Sequence, residues 1–252
     1  MTAEGAVPGD AGRIVEVIRQ GFDPAWMGVI LYGCAGVEHY VEAQIRLGAS
    51  SPYRYKVCRQ GGVIVGAAEF RILGATLFLN NVAVLPAGQG HGVGGTLLRV
   101  MVEEGRSQGL REFSLDVLGS NAPAVSWYER LGLKTTAERS YWLGTLPRAA
   151  APGNYSSSDL AQANLVHARF GFSEFSVEGG SRTWKVGRLG GSYFRLVGWQ
   201  CASDPGLAGF LGAMDSERKL LALVDGSPPE DVPWQLVAVT KRMSTPLEGL
   251  HL

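Results

Sequence analysis

The sequence predicts an α+β protein whose mostly antiparallel, twisted sheet is flanked by helices, followed by a second, smaller α+β domain. Three apolar runs joined by short glycine-containing connections, at 53–60, 62–73 and 75–86, are typical of an antiparallel meander. Apolar residues at helical spacing precede these runs and follow them. Local hairpins between helices indicate this class rather than repeated βαβ units.

The first elements of the chain are two helices. Residues 8–22 place apolar side chains on one helical face, and Asp10 is the expected N-cap. Residues 36–48 predict a second helix that ends at Gly48. The three strands come next, so these helices are expected to flank the sheet.

The elements after the third strand are expected in the order helix, strand, helix, strand. A helix from Val93 places apolar residues on one face and ends at Gly109. The runs 111–119, 121–132 and 133–146 then predict a strand, a short helix, and a long strand or strand pair.

Residues 148–157 are rich in Pro, Ala, Gly and Ser and predict a linker between domains 1–147 and 158–252. The second domain follows roughly the element order of residues 36–145 with the last helix missing, which indicates a degenerate internal repeat. An unrelated α+β accessory domain is the alternative. Its expected elements are a helix at 159–171, strands near 172–177, 182–189 and 192–200, a helix near 206–214, and strands at 219–226 and 234–243.

Composition excludes several functions. The chain has 252 residues, of which 46% are hydrophobic, and Lys plus Arg and Asp plus Glu both number 23, so the basic excess expected of a nucleic-acid binder is absent. Cys34, Cys58 and Cys201 show neither a disulfide framework nor a zinc spacing, and we expect no metal. We find no signal peptide and no membrane-spanning run, so a cytoplasmic protein is expected.

The segment 80–101 is the clearest functional signal. It passes from a strand through glycines into a helix, so the first N–H groups of that helix are unpaired and carry partial positive charge. A phosphate or pyrophosphate is the natural ligand of such a turn. The alternative is a tight strand–helix connection in which glycine only permits close packing. The glycines are Gly88, Gly90, Gly92, Gly94 and Gly95.

A dinucleotide site is a weaker interpretation of the same residues. Residues 90–95 satisfy G-x-G-x-x-G, and Asp116 lies near the distance of a ribose-binding acid. However, residues 85–89 intervene between the strand and the first glycine, and the preceding strands indicate a meander. An NAD(P)-binding protein is therefore the less favoured prediction.

The wider segment resembles the GCN5-related N-acetyltransferases, the GNAT superfamily. Residues 89–94 match its Q/R-x-x-G-x-G/A signature after "VAV-x-P", and "LDVLGSNAPAVSWYERLGL" resembles its second signature. The order and separation of the two signatures agree with that family. The resemblance covers residues 1–147, and it makes the C-terminal part a candidate for a degenerate second GNAT-like half.

The resemblance implies a GNAT-type sheet, with acetyl-CoA or another acyl-CoA as the co-substrate and no metal. It implies that Tyr128 protonates the departing thiolate as the general acid. A strand bulge near Val82–Val84 would offer amides to the pantetheine arm and the acyl carbonyl. Asn121 would reach the cofactor, although an N-cap role is equally open. The implied cofactor-binding residues are Val82, Ala83, Val84, Gln89, Gly90, His91, Gly92, Val93, Gly94, Gly95, Thr96, Asn121, Ala124 and Tyr128.

The general base is less evident from the sequence. Many relatives carry an acid on the strand before the glycine turn, but this chain has Asn80 and Asn81, whose amides accept no proton. Glu69 on the preceding strand is the best alternative carboxylate, and Asp116 is a weaker one. His91 is interpreted as a phosphate-edge or surface residue.

The expected function is N-acyl transfer, most simply N-acetyl transfer, from coenzyme A to an amine of a small molecule or peptide by direct attack in a ternary complex. A non-catalytic module that binds acyl-CoA is the alternative, because the strand carboxylate is missing. An acyl group delivered by a carrier protein stays open, as does a homodimer. In the second domain, Asp204 occupies the turn where an anion would bind, so a second coenzyme A is not expected.

Overall fold

Alternating and β-branched apolar runs form the strands, and amphipathic runs form the helices, as the periodicity predicts. The structure is a computed structural model that describes residues 2–146, 154–228 and 233–252. The helices are α1 Ala11–Gln20, α2 Val37–Leu47, α3 Val93–Ser107, α4 Ala122–Arg130, α5 Leu160–Phe170, α6 Trp199–Ala202 and α7 Pro205–Met214. The strands are β1 Ala3–Gly5, β2 Tyr53–Gln60, β3 Val63–Leu73, β4 Thr76–Val84, β5 Glu112–Leu118, β6 Lys134–Thr145, β7 Tyr155–Ser156, β8 Phe172–Gly179, β9 Arg182–Leu189, β10 Tyr193–Val197, β11 Lys219–Val224 and β12 Gln235–Pro246.

The chain forms two compact units, each built from more than one segment. Unit 1 contains Met1–Pro24, Glu38–Ala137 and Thr240–Leu252, and unit 2 contains Ala25–Val37 and Glu138–Val239. These units differ from the domains 1–147 and 158–252 that the sequence predicts in three segments, which are 25–37, 138–146 and 240–252. That domain division stays a prediction.

Side-chain burial and strand pairing explain the three exchanged segments. Residues 140–145 of β6 pair antiparallel with β11 in unit 2. Trp26, Val29 and Leu31 of the segment Ala25–Val37 pack in one apolar cluster with Leu221 and other residues of unit 2. The last seven residues of β12, from Thr240 to Pro246, pair antiparallel with β5 in unit 1. Periodicity indicates that such segments are helical or extended, but it does not name their partners.

Unit 1 contains the sheet order β1-β2-β3-β4-β5-β12, in which β4 and β5 are parallel and the other neighbours are antiparallel. Its core is filled by fully buried side chains from the strands and α3, including Phe70, Leu77, Leu97, Met101 and Phe113. The expected mixed, mostly antiparallel sheet flanked by helices is confirmed. Among the described residues, no helix has both the length and the apolar character needed to cross a bilayer.

Unit 2 contains the order β6-β11-β10-β9-β8-β7, with β10 and β11 parallel. Each unit therefore has one helix-connected parallel pair next to an antiparallel meander: β4 and β5 joined through α3, and β10 and β11 joined through α7. This agreement supports the internal repeat that element order alone indicated. The core contains Phe175, Phe194, Leu207 and Leu211.

Several local predictions differ from the structure. Asp10 stands at the N-cap position of α1, but its side chain makes no cap bond. It accepts a hydrogen bond from the Val7 N–H and pairs with Arg59, so its oxygens are already used. Tyr155 and Ser156 of the predicted linker form β7, while residues 147–153 lie outside the described residues. The short helix α6 is an addition to the expected elements. Residues 134–145 form one long strand, which is one of the two predicted alternatives.

We predict that acid destabilises unit 2 through His167. Burial and the positive charges of Arg188 and Arg218 lower the pKa of His167 below its ordinary value of 6.5, so it is neutral in the fold. Below pH 6.5 the unfolded chain binds a proton that folded His167 rejects, so stability is present above that pH and is lost as the pH falls through the folded pKa.

The measurement is urea unfolding at pH 7.5 and pH 5. Five of the six tryptophans, all except Trp127, belong to unit 2, so their fluorescence reports mainly on that unit. We expect the native chain to lose more stability than His167→Gln between the two pH values. Equal losses in both proteins would show that His167 does not contribute to the pH dependence.

Candidate functional site

The glycine-rich turn between β4 and α3 forms the wall of an open cavity of about 620 Å³ in unit 1. Gly90 and Gly92 have φ values of +75° and +74°, a left-handed conformation that side chains with a Cβ rarely adopt. A residue with a Cβ at either position would therefore strain this turn. The cavity is lined by Val84, Gly88, Gln89, Gly90, Gly92, Val93, Gly94, Gly95, Pro123 and Trp127.

The start of α3 leaves its first amides available to a ligand. Gly92 is the N-cap, and no side chain caps the helix. Thr96 is the first residue whose N–H bonds back along the helix, to the Gly92 carbonyl at 2.9 Å, and its hydroxyl donates to the same oxygen. Among the described residues, the amides from Gly90 to Gly95 have no acceptor at hydrogen-bond distance, which is the arrangement that binds anions.

Two side chains stabilise the turn from outside the cavity or at its edge. The Gln89 side-chain amide donates to the Val84 carbonyl at 3.0 Å. The His91 Nδ1 lies 2.8 Å from the Gln89 carbonyl, and His91 is exposed and absent from the cavity lining. This position agrees with the surface interpretation of His91.

The sheet of unit 1 opens beside this turn. The parallel ladder between β4 and β5 pairs Thr76 with Glu112 and ends where Leu79 pairs with Leu115. Beyond Leu79, β4 continues to Val84 with β3 as its only strand neighbour among the described residues. Backbone groups on the β5 side of this stretch are therefore available to a ligand.

The register identifies which amides face the opening. The Leu85 N–H donates to the Val65 carbonyl, so Leu85 and every second residue before it bond toward β3. Ala83 belongs to that series, whereas the N–H groups of Val82 and Val84 point away from β3. The pantetheine contacts of Val82 and Val84 stay predictions, for which the register provides outward amides, and the amide of Ala83 does not face the opening.

The predicted bulge lies earlier in β4 than expected. Pairing with β3 is continuous from Asn81 to Val84, and the register shifts where Glu69 pairs with Asn81 but Phe70 pairs with Leu79. The extra residue is Asn80, so the placement near Val82–Val84 is wrong by about two positions. The bulge coincides with the end of the β4–β5 ladder, because an unpaired residue disrupts the ladder and bends its strand.

Glu69 and the two asparagines of β4 form one hydrogen-bonded group at the point where the sheet opens. The Asn80 side chain donates to Glu69 Oε1 at 3.0 Å, and the Asn81 side chain donates to Oε2 at 2.7 Å. Glu69 is only 5% exposed. The asparagines that stand in place of a carboxylate on β4 thus fix the carboxylate of β3 beside it.

Tyrosines surround this carboxylate. Tyr55 pairs with Glu69 across the strands and shares its face of the sheet. Burial, followed by the charge of Glu69, raises the pKa of Tyr55. Burial, followed by a hydrogen bond with Tyr53, raises the pKa of Tyr40 on α2. These phenols stay protonated at neutral pH, so Glu69 is the negative group of the cluster.

Tyr128 lies in the core cluster of unit 1 and is 6% exposed. Burial raises its pKa, so the phenol is a proton donor rather than a phenolate. Its ring packs against Trp127, with centroids 5.0 Å apart, and Trp127 lines the cavity. Tyr128 therefore lies directly behind the Trp127 side chain that lines the cavity.

Asn121 is exposed and caps α4, because its side-chain oxygen accepts from the Ala124 N–H at 3.2 Å. The cap role is therefore present, and the cofactor role stays a prediction, as it does for Ala124. Asp116 pairs with Arg242 through both carboxylate oxygens, which makes it a poorer base than Glu69. Among the described residues, His, Cys, Asp and Glu side chains form no group that could hold a metal.

Sequence reasoning missed Trp127 and Pro123 in the cavity wall. A Cβ at Gly94 would lie 3.4 Å from the Trp127 ring, so a small residue in α3 faces a large one in α4. The signal was present in Trp127 itself, a large aromatic next to the tyrosine of the second signature. Periodicity assigns such a residue to the core, since it does not show that a cavity lies beside it.

In unit 2 the corresponding elements are β10, the turn before α7 and α7, and no gap opens between β10 and β11. The pairing of β10 with β11 continues along all of β10, from Tyr193 with Lys219 to Val197 with Leu223, so no split follows. Asp204 caps α7 by accepting from the Leu207 N–H at 2.9 Å. A carboxylate therefore occupies the position of the anion-binding amides, which agrees with the expectation of no second coenzyme A.

Comparison with known families identifies the central part of the chain. Residues 27–133 match the model of the Acetyltransferase (GNAT) family. This range contains α2, the three-strand meander, the glycine turn, α3, β5 and α4. The resemblance that the two sequence signatures indicated is confirmed.

Curated relatives are similar over shorter stretches. The mouse (Mus musculus) thialysine N-epsilon-acetyltransferase is 29% identical over 89 residues, which is 33% of this chain and 52% of that protein. The ribosomal protein bS18-alanine N-acetyltransferase of Escherichia coli (strain K12) is 41% identical over 69 residues, 27% of this chain and 45% of that protein. The chain thus spans about half the length of the curated relatives it matches.

Solved structures match over nearly the whole chain. A tandem GNAT protein from the clavulanic acid biosynthesis pathway has a TM-score of 0.67 and 12% identity, covering 97% of this chain and 98% of that one. A GCN5-related N-acetyltransferase from Sphaerobacter thermophilus has a TM-score of 0.61 and 14% identity, covering 97% and 95%. At these identities the likeness shows the fold, which is that of a tandem GNAT protein.

Proposed function

We propose that this chain, whose residues 27–133 are a GNAT segment, is an N-acyltransferase that moves an acyl group from acyl-CoA to an amine. One observation carries the proposal. Val84 and the turn with the unpaired amides of Gly90–Gly95 border the same cavity of unit 1, and the outward amide of Val82 lies two residues before Val84 on β4. A diphosphate followed by an extended amide-containing arm fits this combination of donors.

The chemistry is direct attack in a ternary complex. The acceptor nitrogen forms a bond to the thioester carbonyl carbon, the carbon–sulfur bond breaks, and the sulfur leaves as a thiolate. Outward backbone N–H groups of β4 beyond the bulge would stabilise the negative charge that develops on the carbonyl oxygen. Tyr128, kept protonated by burial that raises its pKa, would give its proton to the thiolate.

Glu69 is our proposed partner of the acceptor amine. Its carboxylate lies one hydrogen bond from Asn80, at the point where β4 and β5 separate. A buried carboxylate at this place attracts an ammonium and takes up the proton that the ammonium loses, directly or through one water. Asn80 and Asn81 would act as positioning residues, since each donates to one oxygen of Glu69.

The acyl group and the acceptor are proposed at the level of chemical class. Acetyl is the simplest donor group because the similar curated proteins are named N-acetyltransferases. Those names specify an amine of an amino acid and of a ribosomal protein, which supports a small-molecule or peptide amine as the acceptor. A carrier-protein donor, a homodimer and a cytoplasmic location stay predictions.

The experiment that tests the function measures free thiol released from acetyl-CoA against a panel of amines. We expect turnover with at least one amine, and we expect Tyr128→Phe to lower kcat roughly 100-fold, as for loss of a general acid, with little change in coenzyme A affinity. The variant removes a single hydroxyl and keeps the buried ring, so its packing against Trp127 is retained. Full turnover in Tyr128→Phe would overturn the assigned role of Tyr128.

A non-catalytic acyl-CoA-binding module is the second candidate. Both oxygens of Glu69 already accept hydrogen bonds from asparagine side chains, an arrangement that also suits a purely structural carboxylate. The same assay separates the two functions. Saturable acetyl-CoA binding without thiol release on any amine supports the module, whereas amine-dependent release supports the enzyme.

A further inference from the structure

We propose that unit 2 contains a binding site for a small organic cation, in the cavity between Asp204 and Trp234. This cavity has a volume of about 350 Å³, at the small end of ligand pockets, which span about 300–1,000 Å³. Its lining combines one carboxylate, one large aromatic ring and small or apolar side chains. The lining residues are Gly144, Thr145, Ala202, Ser203, Asp204, Pro205, Ala208, Leu220, Pro233 and Trp234.

The site occupies the strand–turn–helix of unit 2, but its charge is opposite to that of unit 1. In unit 1 the turn before α3 has unpaired amides and no side-chain cap. In unit 2, Asp204 caps α7 and brings a carboxylate to the cavity wall. The unit 2 cavity therefore repels anions and attracts cations.

Hydrogen bonds keep this carboxylate ionised. Asp204 accepts from the Tyr155 hydroxyl at 2.7 Å, from the Trp184 Nε1 at 3.2 Å and from the Leu207 N–H at 2.9 Å. Burial alone would raise the pKa of Asp204, but these hydrogen bonds outweigh it and the pKa is lowered. Among the described residues no Lys or Arg forms an ion pair with Asp204, so its charge is not neutralised by a neighbour.

Trp234 supplies an aromatic wall of fixed orientation. A Cβ at Gly144 would lie 2.6–2.9 Å from three atoms of the Trp234 six-membered ring, so only glycine leaves room for the indole there. Trp199 meets Trp234 edge-on, with centroids 5.5 Å apart. Indole is the aromatic side chain that attracts cations most strongly.

The remaining lining selects the kind of cation. Ala202, Pro205, Ala208 and Leu220 present apolar surface, which disfavours a strongly hydrated ion such as Mg²⁺. An ammonium that carries alkyl groups satisfies both the aromatic and the apolar walls, while Asp204 supplies the opposite charge. A compact alkylammonium is therefore the ligand class that fits.

Choline and 3,3-dimethylbutan-1-ol test the proposal, because they have the same shape and differ in charge. The intact chain is titrated with each compound, followed by tryptophan fluorescence and calorimetry. Choline has no N–H to lose, so its binding does not depend on the proposed acyl transfer. We expect saturable choline binding and at least about tenfold weaker binding of the neutral alcohol, from cation–π and charge attraction together. Equal affinities would overturn the proposal.

Three variants locate the site. Asp204→Asn keeps an N-cap residue and removes the charge, and Trp234→Leu removes the ring; each is expected to weaken choline binding about tenfold or more. Trp127→Leu alters the cavity of unit 1 and should leave choline affinity unchanged. Thermal melting checks the fold of each variant. If Asp204→Asn has a lowered melting temperature, the proposal is tested by choline binding to Trp234→Leu and by the difference in affinity between choline and the neutral alcohol. Unchanged affinity in a folded Asp204→Asn or Trp234→Leu protein would contradict the assignment, and weakened binding in Trp127→Leu would place choline in unit 1.

Discussion

Replacing Gly95 with Asp is expected to weaken coenzyme A binding roughly 100-fold while leaving the fold intact. Gly95 is the third residue of α3, and a Cβ there meets no atom within 4 Å, so the side chain fits. Its carboxylate would repel the proposed diphosphate, since two like charges about 5 Å apart repel by about 3 kcal/mol at an effective dielectric constant of about 20. The affinity is measured by calorimetric titration with coenzyme A.

The same substitution has the opposite effect on stability, which makes the test specific. An acidic residue in the first turn of a helix is favourable by about 0.3–1 kcal/mol, so we expect the melting temperature to hold or rise. Gly95→Asn is the matched control, since it has the same size without the charge, and it should lose much less affinity. If Gly95→Asp binds coenzyme A as the native chain does, the diphosphate does not lie on this turn and the proposed function fails with it.

Local signals predicted most of the fold and the location of the turn. Glycines at positive φ, such as Gly90 and Gly92, and the apolar runs of β3 and β4 act over a few residues, so they are readable without the tertiary structure. The two GNAT signatures lie in this locally determined part. That is why the fold class and the family of residues 27–133 could both be predicted.

The position of Glu69, the candidate base, could not be predicted from the sequence. Within a single strand, Asn80 and Asn81 indicate the loss of a carboxylate that relatives carry on the same strand. The cross-strand register places Glu69 opposite Asn81, and the bulge at Asn80 turns a second amide toward it. Register and bulges depend on pairing between strands, so no pattern within one strand reports them.

Segment exchange was unpredictable for a similar reason. Residues 25–37 have the apolar character of core-forming chain, and the burial of Trp26 and Leu31 in unit 2 satisfies it. The choice between the two units depends on shape complementarity rather than on hydrophobicity, since both units have apolar cores. Composition predicted a linker at 148–157, which lies inside unit 2, and it did not assign residues 25–37 to a unit.

The two units build a similar strand–turn–helix plan in two different ways. In unit 1 the uncapped helix start and the split after Leu79 leave backbone donors exposed to a cavity. In unit 2 the continuous β10–β11 ladder and the Asp204 cap satisfy those donors internally. The difference follows from the bulge at Asn80, which coincides with the end of the β4–β5 ladder, and from the residue at the helix N-cap, Gly92 in unit 1 and Asp204 in unit 2.

Glu69→Gln is expected to lower kcat/KM roughly 1,000-fold, since the carboxylate both attracts the acceptor ammonium and takes its proton. Coenzyme A affinity should stay unchanged, because Glu69 does not line the cavity at the turn. The rate of the native enzyme should rise with pH as the acceptor amine loses its proton. Thiol release at several amine concentrations and pH values provides these measurements.

Placing a carboxylate on the neighbouring strand β4 distinguishes a catalytic role of Glu69 from a structural one. Asn81 and Glu69 are directly paired, and the Asn81 Nδ2 lies 2.7 Å from the Glu69 Oε2. In the double variant Glu69→Gln with Asn81→Asp, the glutamine amide donates to the new aspartate, so the hydrogen bond is reversed and the negative charge moves across the strand pair. We expect this double variant to recover at least about tenfold of the lost activity, because a base is again within reach of the acceptor.

Asn81→Asp alone is the control, and it should be less active than the native chain. Two carboxylates in contact cannot both ionise easily, so the pKa of one rises and the pair retains a proton. A structural role for Glu69 predicts a different pattern, in which activity follows the melting temperature and Asn81→Asp gives no rescue in the Glu69→Gln background. Activity of Glu69→Gln within about threefold of native, at every pH and with the best amine, would exclude Glu69 as the base and transfer that role to bound water.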